Sequence, residues 1–328
     1  MPYRQLSVSG FPAVALRSST LEVVAVPSLG MKLTNLRRLS GREWLWRNEQ
    51  IPLAPPRGAG ASYVETADSG GWDECFPTAG PCPVPGDPTA ASLPDHGELW
   101  NATWESAVYE HAGGTTLRGS ALGVRYPYQF DREITLDPVE PVVRFSYRVQ
   151  HLGGEPFPWI WSSHPLLNVQ PGTTIELPGV RNVRVDAAHG QAGIEHGDTL
   201  EWPPRASATL EPGRFTFPAA DAAWAMKLFG DIGTEGRAVL TDPSAGEQLV
   251  FEVDASQVPQ IGIWINCAGW APKGRTPYYN LALEPCIGAP DRLDQAVYEW
   301  QTAQVLQSGE ERSWALTVRL PEPGAPRP

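Results

Sequence analysis

The sequence is poor in cysteine and in basic side chains, and it has no long apolar run. Its four cysteines form no C-x-x-C pair, which excludes a zinc ribbon and a dithiol redox motif, so we expect reduced thiols. Nowhere do about 18 consecutive apolar residues occur, the length that a membrane-spanning helix needs. We therefore expect no membrane partner.

The balance of charge is acidic, with 37 Asp and Glu against 25 Lys and Arg and a formal net charge of -12. Nucleic-acid binding draws its sequence-independent affinity from Lys and Arg that neutralise phosphates, so we expect no nucleic-acid partner. Residues 1–6 lack the basic start and apolar segment of a secretory signal. These features favour a cytoplasmic location.

Windows long enough for a helix are also scarce, because 34 Pro and 32 Gly are scattered through the chain. Period-two alternation dominates instead: over residues 142–149 and again over 313–320, apolar and polar side chains point in opposite directions. Further strands are predicted at 21–26, 32–39, 129–136, 224–229, 248–253 and 260–265. The pattern indicates an all-β, mostly antiparallel architecture with the turn spacing of a sandwich.

Composition and length indicate the number of domains. Hydrophobic residues make up 41% of the chain and 13 residues are Trp, which is enough for a large core. Because β-sandwiches and barrels often exceed the usual domain size as one unit, we predict a single domain over residues 1–320. The Pro-rich segment 321–328 is predicted to be a frayed tail.

Two segments interrupt the strand pattern. Residues 51–94 are dense in Pro, Gly and Ala, and their length and composition are typical of a loop that forms a site. Residues 269–277 form a second irregular segment, directly before the strand that carries Glu284.

Three distant positions each place one acid-base group among strand and turn residues: His96, His164 and Glu284. Taken singly, each histidine is more commonly explained by a structural hydrogen bond than by catalysis. Glu284 follows the apolar strand 278–283, where a carboxylate must be hydrogen-bonded or used in chemistry. Brought to one pocket, the three side chains would suffice for paired general acid and base catalysis.

The order of several motifs points to a family. The segments are Gly41–Trp46, Cys75–Gly80, His96-Gly97 with Trp100, Pro158–Pro165, Ile263-Trp264, Leu283–Pro285 and Pro290-Asp291. In this order and spacing they resemble the aldose 1-epimerases of the galactose mutarotase superfamily, over about residues 21–320.

The resemblance implies a large antiparallel β-sandwich of the supersandwich type, with a cleft across one sheet, that interconverts the α and β anomers of a free aldose. It implies that Glu284 takes the proton of the C1 hydroxyl while His164 donates one to the ring oxygen, which opens the ring. His96 would bond the same oxygens and stabilise the developing charge. Because each step is a proton transfer, we expect no cofactor and no metal ion.

Substrate binding is expected to use aromatic faces with polar neighbours. Trp72 and Asp73 are the first candidates, because their glycine-rich segment is predicted to be an exposed loop, and Trp264 and Asn266 follow. The family also places an aspartate on the substrate hydroxyls, ahead of the Trp264 strand. Position alone suggests Asp221 for that role.

Departures from the family leave the sugar and some alternatives open. The segment after His96 lacks the arginine of hexose-phosphate mutarotases, which disfavours a phosphosugar. A glycosidase could pair Glu284 with Asp73 or Glu74, and a metalloenzyme could use two histidines and one carboxylate. A sugar-binding or sensor protein without catalysis also fits. The expected partner is a small-molecule sugar, and the expected assembly is a monomer or homodimer.

Overall fold

The computed structural model describes residues 1–55, 58, 61–87, 89–209 and 211–322, and the predicted tail at 321–328 lies outside them from residue 323 onward. Within these ranges the chain forms mainly β-strands, with two short α-helices, α1 (Tyr63–Thr66) and α2 (Leu293–Tyr298). Scattered prolines and glycines leave few windows in which helical hydrogen bonds could propagate. No helix in these ranges is long and apolar enough to cross a bilayer.

The strands are numbered in chain order. They are β1 (Tyr3–Val8), β2 (Phe11–Arg17), β3 (Leu21–Val26), β4 (Lys32–Arg38), β5 (Trp72–Cys75), β6 (Glu105–His111), β7 (Gly114–Leu122), β8 (Tyr128–Leu136), β9 (Val142–His151), β10 (Phe157–Trp159), β11 (Trp161–Leu167), β12 (Thr174–Glu176), β13 (Asn182–His189), β14 (Thr199–Glu201), β15 (Arg214–Thr216), β16 (Trp224–Asp231), β17 (Arg237–Thr241), β18 (Gln248–Val253), β19 (Gln260–Cys267), β20 (Tyr279–Ile287), β21 (Gln304–Leu306) and β22 (Glu311–Arg319). Short 3-10 helices lie at Leu99–Asn101 and Ala220–Ala222.

Over the described ranges these strands form two large sheets and one small pair. The larger sheet has eleven strands in the order β1-β2-β3-β4-β5-β11-β20-β19-β16-β13-β14. The second has nine, in the order β15-β12-β17-β18-β22-β9-β8-β7-β6, and β10 pairs with β21. Neighbouring strands run antiparallel in both large sheets. The predicted all-β, antiparallel architecture is confirmed.

Alternating side chains set the register of the second sheet. In the pairing of β9 with β22, Val143 lies opposite Val318 and Tyr147 opposite Trp314. A slip by one residue would turn these buried side chains outward, so the apolar face specifies the pairing. The alternation seen in the sequence at 142–149 and 313–320 thus belongs to two adjacent strands.

Aromatic side chains fill the space between the two large sheets. Trp72 of β5 contacts Phe145 of β9 with ring centroids 4.7 Å apart, and Phe251 of β18 lies 5.9 Å away. Trp161 of β11 packs in the same way on Tyr147, at 4.7 Å. Burying one such large apolar side chain contributes about 1.5–3 kcal/mol, so these contacts hold the sheets together.

The opposite face of the eleven-stranded sheet carries the polar residues of its central strands. His164 lies directly opposite Asp73 across β11 and β5, and Glu284 lies opposite Gly262 across β20 and β19. Their chain neighbours point into the core, because successive side chains of a strand alternate between faces. We call this polar side the outer face.

Candidate active site

A pocket of about 200 Å³ lies on the outer face. Trp264, Trp270 and Tyr278 supply aromatic surface, and the imidazoles of His96 and His164 belong to the same lining. Aromatic rings beside convergent polar groups suit a small ligand that has both apolar faces and hydroxyl groups.

Glu284 of β20 lies directly behind this lining and is fully buried. Lys227 of β16 donates hydrogen bonds of 2.7 Å to both of its carboxylate oxygens. The hydroxyl of Ser162 donates a third, of 2.9 Å, to Oε2. Because a buried carboxylate is tolerated only when it is paired and hydrogen-bonded, these contacts fix both the charge and the orientation of Glu284.

Gly262 makes the room in which this ion pair forms. It lies between Glu284 and Phe229 in the register of β20, β19 and β16. A Cβ atom at position 262 would lie 3.1 Å from the Phe229 ring and 3.3 Å from the Cβ of Glu284. A glycine inside a central strand is typical of such a close approach.

His96 occupies a tightly held position in the loop before the Leu99–Asn101 turn. Its φ of +59° is in the left-handed region that non-glycine residues rarely adopt. The ring stacks on Tyr63 with centroids 3.9 Å apart, and its Nδ1 lies 2.8 Å from Oδ1 of Asp95. Burial alone would lower the pKa of His96, but the charge of Asp95, with those of nearby carboxylates, raises it.

His164 has the opposite electrostatic setting. It lies edge-on to His96, with ring centroids 4.8 Å apart, and its Nε2 is 3.8 Å from Oε1 of Glu284. Burial lowers the pKa of His164 well below its usual value, and the neighbouring charge of His96 acts in the same direction. The two imidazoles therefore differ in how readily they carry a proton.

Three carboxyl groups complete the polar lining. Burial raises the pKa of Asp68 to about 6, and burial with the neighbouring Asp291 raises that of Asp186 to about 6. Burial also raises the pKa of Asp291, against the effect of Lys227, whose Nζ lies 3.3 Å from its Oδ1. No arginine of the described chain lines the pocket.

The alternative of a metalloenzyme requires side chains that can bind one metal ion together. Across the part of the chain that the structure describes, no three His, Cys, Asp or Glu side chains are arranged to hold a metal ion together.

Asn280 adds a neutral polar group to the same wall. It is 1% exposed and lines the pocket, and neither its amide nitrogen nor its oxygen bonds to any described residue. An unpaired buried amide is unfavourable unless a ligand or water satisfies it, so Asn280 is suited to bind a hydroxyl group.

The chain is similar to known proteins in its structure and not in its sequence. No protein-family model matches the chain, and no curated protein matches its sequence. A proposed aldose 1-epimerase from Klebsiella pneumoniae superposes with a TM-score of 0.72 at 14% identity, over 97% of this chain and 82% of its own. A galactose mutarotase related enzyme from Lactobacillus acidophilus gives a TM-score of 0.68 at 14% identity, over 95% and 98%.

The chain has the galactose mutarotase-like fold. This confirms the fold that the motif order implied, and at these identities the likeness concerns the fold alone. A TPR-domain containing protein from Parabacteroides distasonis shares it with a TM-score of 0.64, over 97% of this chain but 49% of its own. Proteins with this fold therefore need not share one activity.

The mutarotase-like fold brings the three predicted acid-base residues together. His96 and His164 meet in the pocket lining, and Glu284 lies against His164 behind it. Trp264, predicted to bind substrate, also lines the pocket. Their chemical roles stay predictions.

Trp72 and Asp73 do not lie in an exposed loop, so that prediction is wrong. Both belong to β5 and are at most 1% exposed. Alternation directs Trp72 into the core against Phe145, where its ring cannot stack on a ligand of the pocket. Asp73 faces outward, but it accepts hydrogen bonds from Lys32 at 2.5 Å and from the Tyr63 hydroxyl at 2.7 Å. It therefore supports Tyr63, which lines the pocket.

Asn266 and Asp221 also differ from expectation. The amide of Asn266 donates to the carbonyl of Trp270 at 2.9 Å and accepts from the backbone of Gly269 and Trp270 at 3.2 Å, so it holds the loop that carries Trp270. Asp221 is exposed in the 3-10 helix and is outside the lining. Between His164 and Trp264, the aspartate that does line the pocket is Asp186.

Glu74 cannot serve as a second carboxyl group beside Glu284. It faces the core, where Arg132 forms an ion pair with it at 2.8 Å, and Tyr147 and Trp161 donate hydrogen bonds of 3.1 and 2.8 Å. Burial raises the pKa of Glu74 to about 7. Since Glu74 and Glu284 lie on opposite faces of one sheet, the pair cannot flank a single glycosidic bond as a glycosidase requires.

Sequence reasoning missed Lys227, Asp186 and Asn280. The sequence did contain a pattern that points to Lys227: it is the lone cation in the apolar run 224–229. A lysine buried in such a run needs an anionic partner. Asn280 could also have been predicted, because it lies four positions before Glu284 on the same strand and therefore shares its face of the sheet. Asp186 lies at a β-bulge of β13, which a single sequence does not reveal.

Proposed function

We propose that the protein is an aldose 1-epimerase, an isomerase that interconverts the α and β anomers of a free aldose. The observation that carries the proposal is the convergence of Glu284, His96 and His164 at one small pocket with an aromatic wall. The fold shared with a galactose mutarotase related enzyme and with a proposed aldose 1-epimerase supports it.

Ring opening needs a base at the C1 hydroxyl and an acid at the ring oxygen. Glu284 acts as the base, since Lys227 and Ser162 hold its carboxylate in one orientation. Its Oε1 lies 3.8 Å from Nε2 of His164, which lines the pocket. An imidazole of the lining supplies the other proton. Rotation about C1–C2 and reclosure then reverse both transfers.

The lining favours an uncharged sugar. Asp68, Asp186 and Asp291 accept hydrogen bonds from hydroxyl groups, and the Asn280 amide both donates and accepts. The charge of Lys227 is already paired with carboxylates, and carboxyl groups would repel a phosphate or carboxylate substituent. The apolar C–H face of the sugar would lie against Trp264 or Trp270.

The test is polarimetry of freshly dissolved α-glucose and α-galactose with the wild type and with Glu284→Gln. We expect the wild type to accelerate mutarotation above the buffer rate. The variant should still bind sugar in calorimetry but lose about 10²–10⁴-fold of the rate, as removal of a general base does.

Glu110→Gln is the matched control, because Glu110 is exposed on β6 of the other large sheet and its loss should leave the rate unchanged. If the wild type binds aldoses but leaves rotation at the buffer rate, the chain is a sugar-binding protein on this fold. If Glu284→Gln is as fast as the wild type, Glu284 is not the base.

A further inference from the structure

Asp68 is a buried carboxyl group of the pocket lining that the described chain leaves partly unsatisfied. It is 5% exposed, and its Oδ1 bonds to no described residue. Its backbone is fixed on both sides, because its N–H donates to the carbonyl of Tyr63 at 2.9 Å and its carbonyl accepts from the Asn48 amide at 2.7 Å. A buried carboxylate held in this way needs a donor or a cation, and a ligand of the pocket can supply one.

The segment that follows Asp68 is packed closely against the backbone of Trp46. The N–H of Gly71 donates to the carbonyl of Trp46 at 2.8 Å. Gly70 has a φ of +76°, and a Cβ atom at this position would overlap the same carbonyl oxygen. Because these contacts fix the loop before any ligand binds, Asp68 is preorganised, and no ordering of the loop has to accompany binding.

The cations nearest to Asp68 are already matched by other carboxylates. Nζ of Lys32 lies 2.5 Å from Oδ2 of Asp73, and Nδ1 of His96 lies 2.8 Å from Oδ1 of Asp95. The charges of Lys32 and His96 also act on Asp68, but burial outweighs them and raises its pKa to about 6. Asp68 is thus left outside the ion pairs that its nearest cations form.

The pocket as a whole has more acidic than basic groups. Besides Asp68, the carboxyl groups of Asp186 and Asp291 belong to the lining. Within the described residues, lysine and arginine are represented in the lining by Lys227 alone, and Lys227 is paired with Glu284. An uncharged sugar fits such a lining better than an anionic one, and a cationic substituent that reaches Asp68 fits it better still.

We propose that the preferred substrate is an aldose that carries a protonated amino group, and that the carboxylate of Asp68 binds this ammonium. The inference rests on the proposed function, whose substrate class it narrows. An ammonium group has three N–H donors, so it can pair with Asp68 and still donate to other acceptors of the lining. A sugar hydroxyl would donate one hydrogen and leave the charge of Asp68 uncompensated.

The first test compares the binding of glucose, 2-amino-2-deoxyglucose and 6-amino-6-deoxyglucose to the wild type by calorimetry near neutral pH. Asp68 is then above its pKa of about 6 and ionised, while the sugar amines are still largely protonated. We expect at least one amino sugar to bind about 10–100-fold more tightly than glucose, the gain that a hydrogen bond between charged groups gives. The N-acetylated form of that sugar, whose amide has no charge, should lose the gain. Equal affinities for glucose and both amino sugars, or an N-acetylated form that binds as tightly as the amine, would overturn the inference.

The second test repeats the comparison with Asp68→Asn, which keeps the shape of the side chain and removes its charge. This variant should bind the amino sugar no more tightly than glucose. Asp186→Asn, at another carboxyl group of the lining, should keep most of the preference, and Asp87→Asn, at an exposed aspartate outside the pocket, should keep all of it. If Asp68→Asn retains the preference, or if Asp186→Asn loses it instead, the ammonium does not bind at Asp68 and the inference is wrong. Thermal unfolding checks that Asp68→Asn is folded, and the wild-type comparison does not depend on it.

Polarimetry of the same sugars separates this inference from the proposed function, because calorimetry measures binding without turnover. Acceleration of mutarotation without a preference for an amino sugar means that the function stands and the inference is wrong. A preference that Asp68→Asn abolishes, with every aldose left at the buffer rate, means that the ammonium site stands and the proposed function is wrong. Where both are right, kcat/KM for the amino sugar should exceed that for glucose, and this difference should disappear in Asp68→Asn.

Discussion

Replacing Lys227 by methionine should destabilise the protein strongly, because it leaves the carboxylate of Glu284 buried without its cation. Lys227 is 5% and Glu284 0% exposed, and the ammonium bonds both oxygens at 2.7 Å. Breaking a buried ion pair by removing one partner costs about 3–5 kcal/mol. With an unfolding entropy of about 2.1 cal/mol/K per residue, a chain of 328 residues should lose roughly 4–7 °C in Tm.

The assay is thermal and urea unfolding of Lys227→Met, Glu284→Gln and the double variant. The double variant should recover much of the loss, because it leaves no unpaired buried charge. Lys273→Met, at an exposed lysine, is the matched control and should change stability by less than about 0.5 kcal/mol. The reasoning would be refuted if the free energy of unfolding of Lys227→Met were within about 1 kcal/mol of the wild-type value. It would also be refuted if the double variant were no more stable than Lys227→Met.

Other predictions address the pocket. Gly262→Ala should displace Glu284 and lower kcat by up to ~10²-fold in polarimetry; an unchanged kcat would contradict the role of the glycine. Asn280→Ala should weaken sugar binding by about 0.5–1.5 kcal/mol in calorimetry with little change in kcat. Trp264→Ala should weaken sugar binding without unfolding, whereas Trp72→Ala should cost about 3–5 kcal/mol of stability in melts. Glucose 6-phosphate should be converted far more slowly than glucose, and equal rates in a polarimetric comparison would count against the acidic lining as a specificity device.

Alternation of side chains made the fold predictable from the sequence. The segments 224–229 and 260–265 were predicted as strands, and they lie in β16 (Trp224–Asp231) and β19 (Gln260–Cys267). A strand with one buried face repeats its apolar residues with period two, and this local signal does not depend on its neighbours. The same rule, applied to β5, would have placed Trp72 in the core. The glycines before that strand were interpreted as part of an exposed loop, which is why the prediction failed.

The candidate site was less predictable because its residues meet through the order of strands, which no local pattern contains. Lys227 and Glu284 are 57 positions apart in sequence, and they meet only because β19 separates β16 from β20. A strand sequence shows which face a side chain takes but not which strand lies beside it. The exception is Gly262: a glycine inside a central strand indicates that something passes close to the backbone there. In this fold the group that passes close to Gly262 is Glu284, the base of the proposed reaction, so a glycine in the strand pattern marks the neighbourhood of the site even though it does not name the residue that lies there.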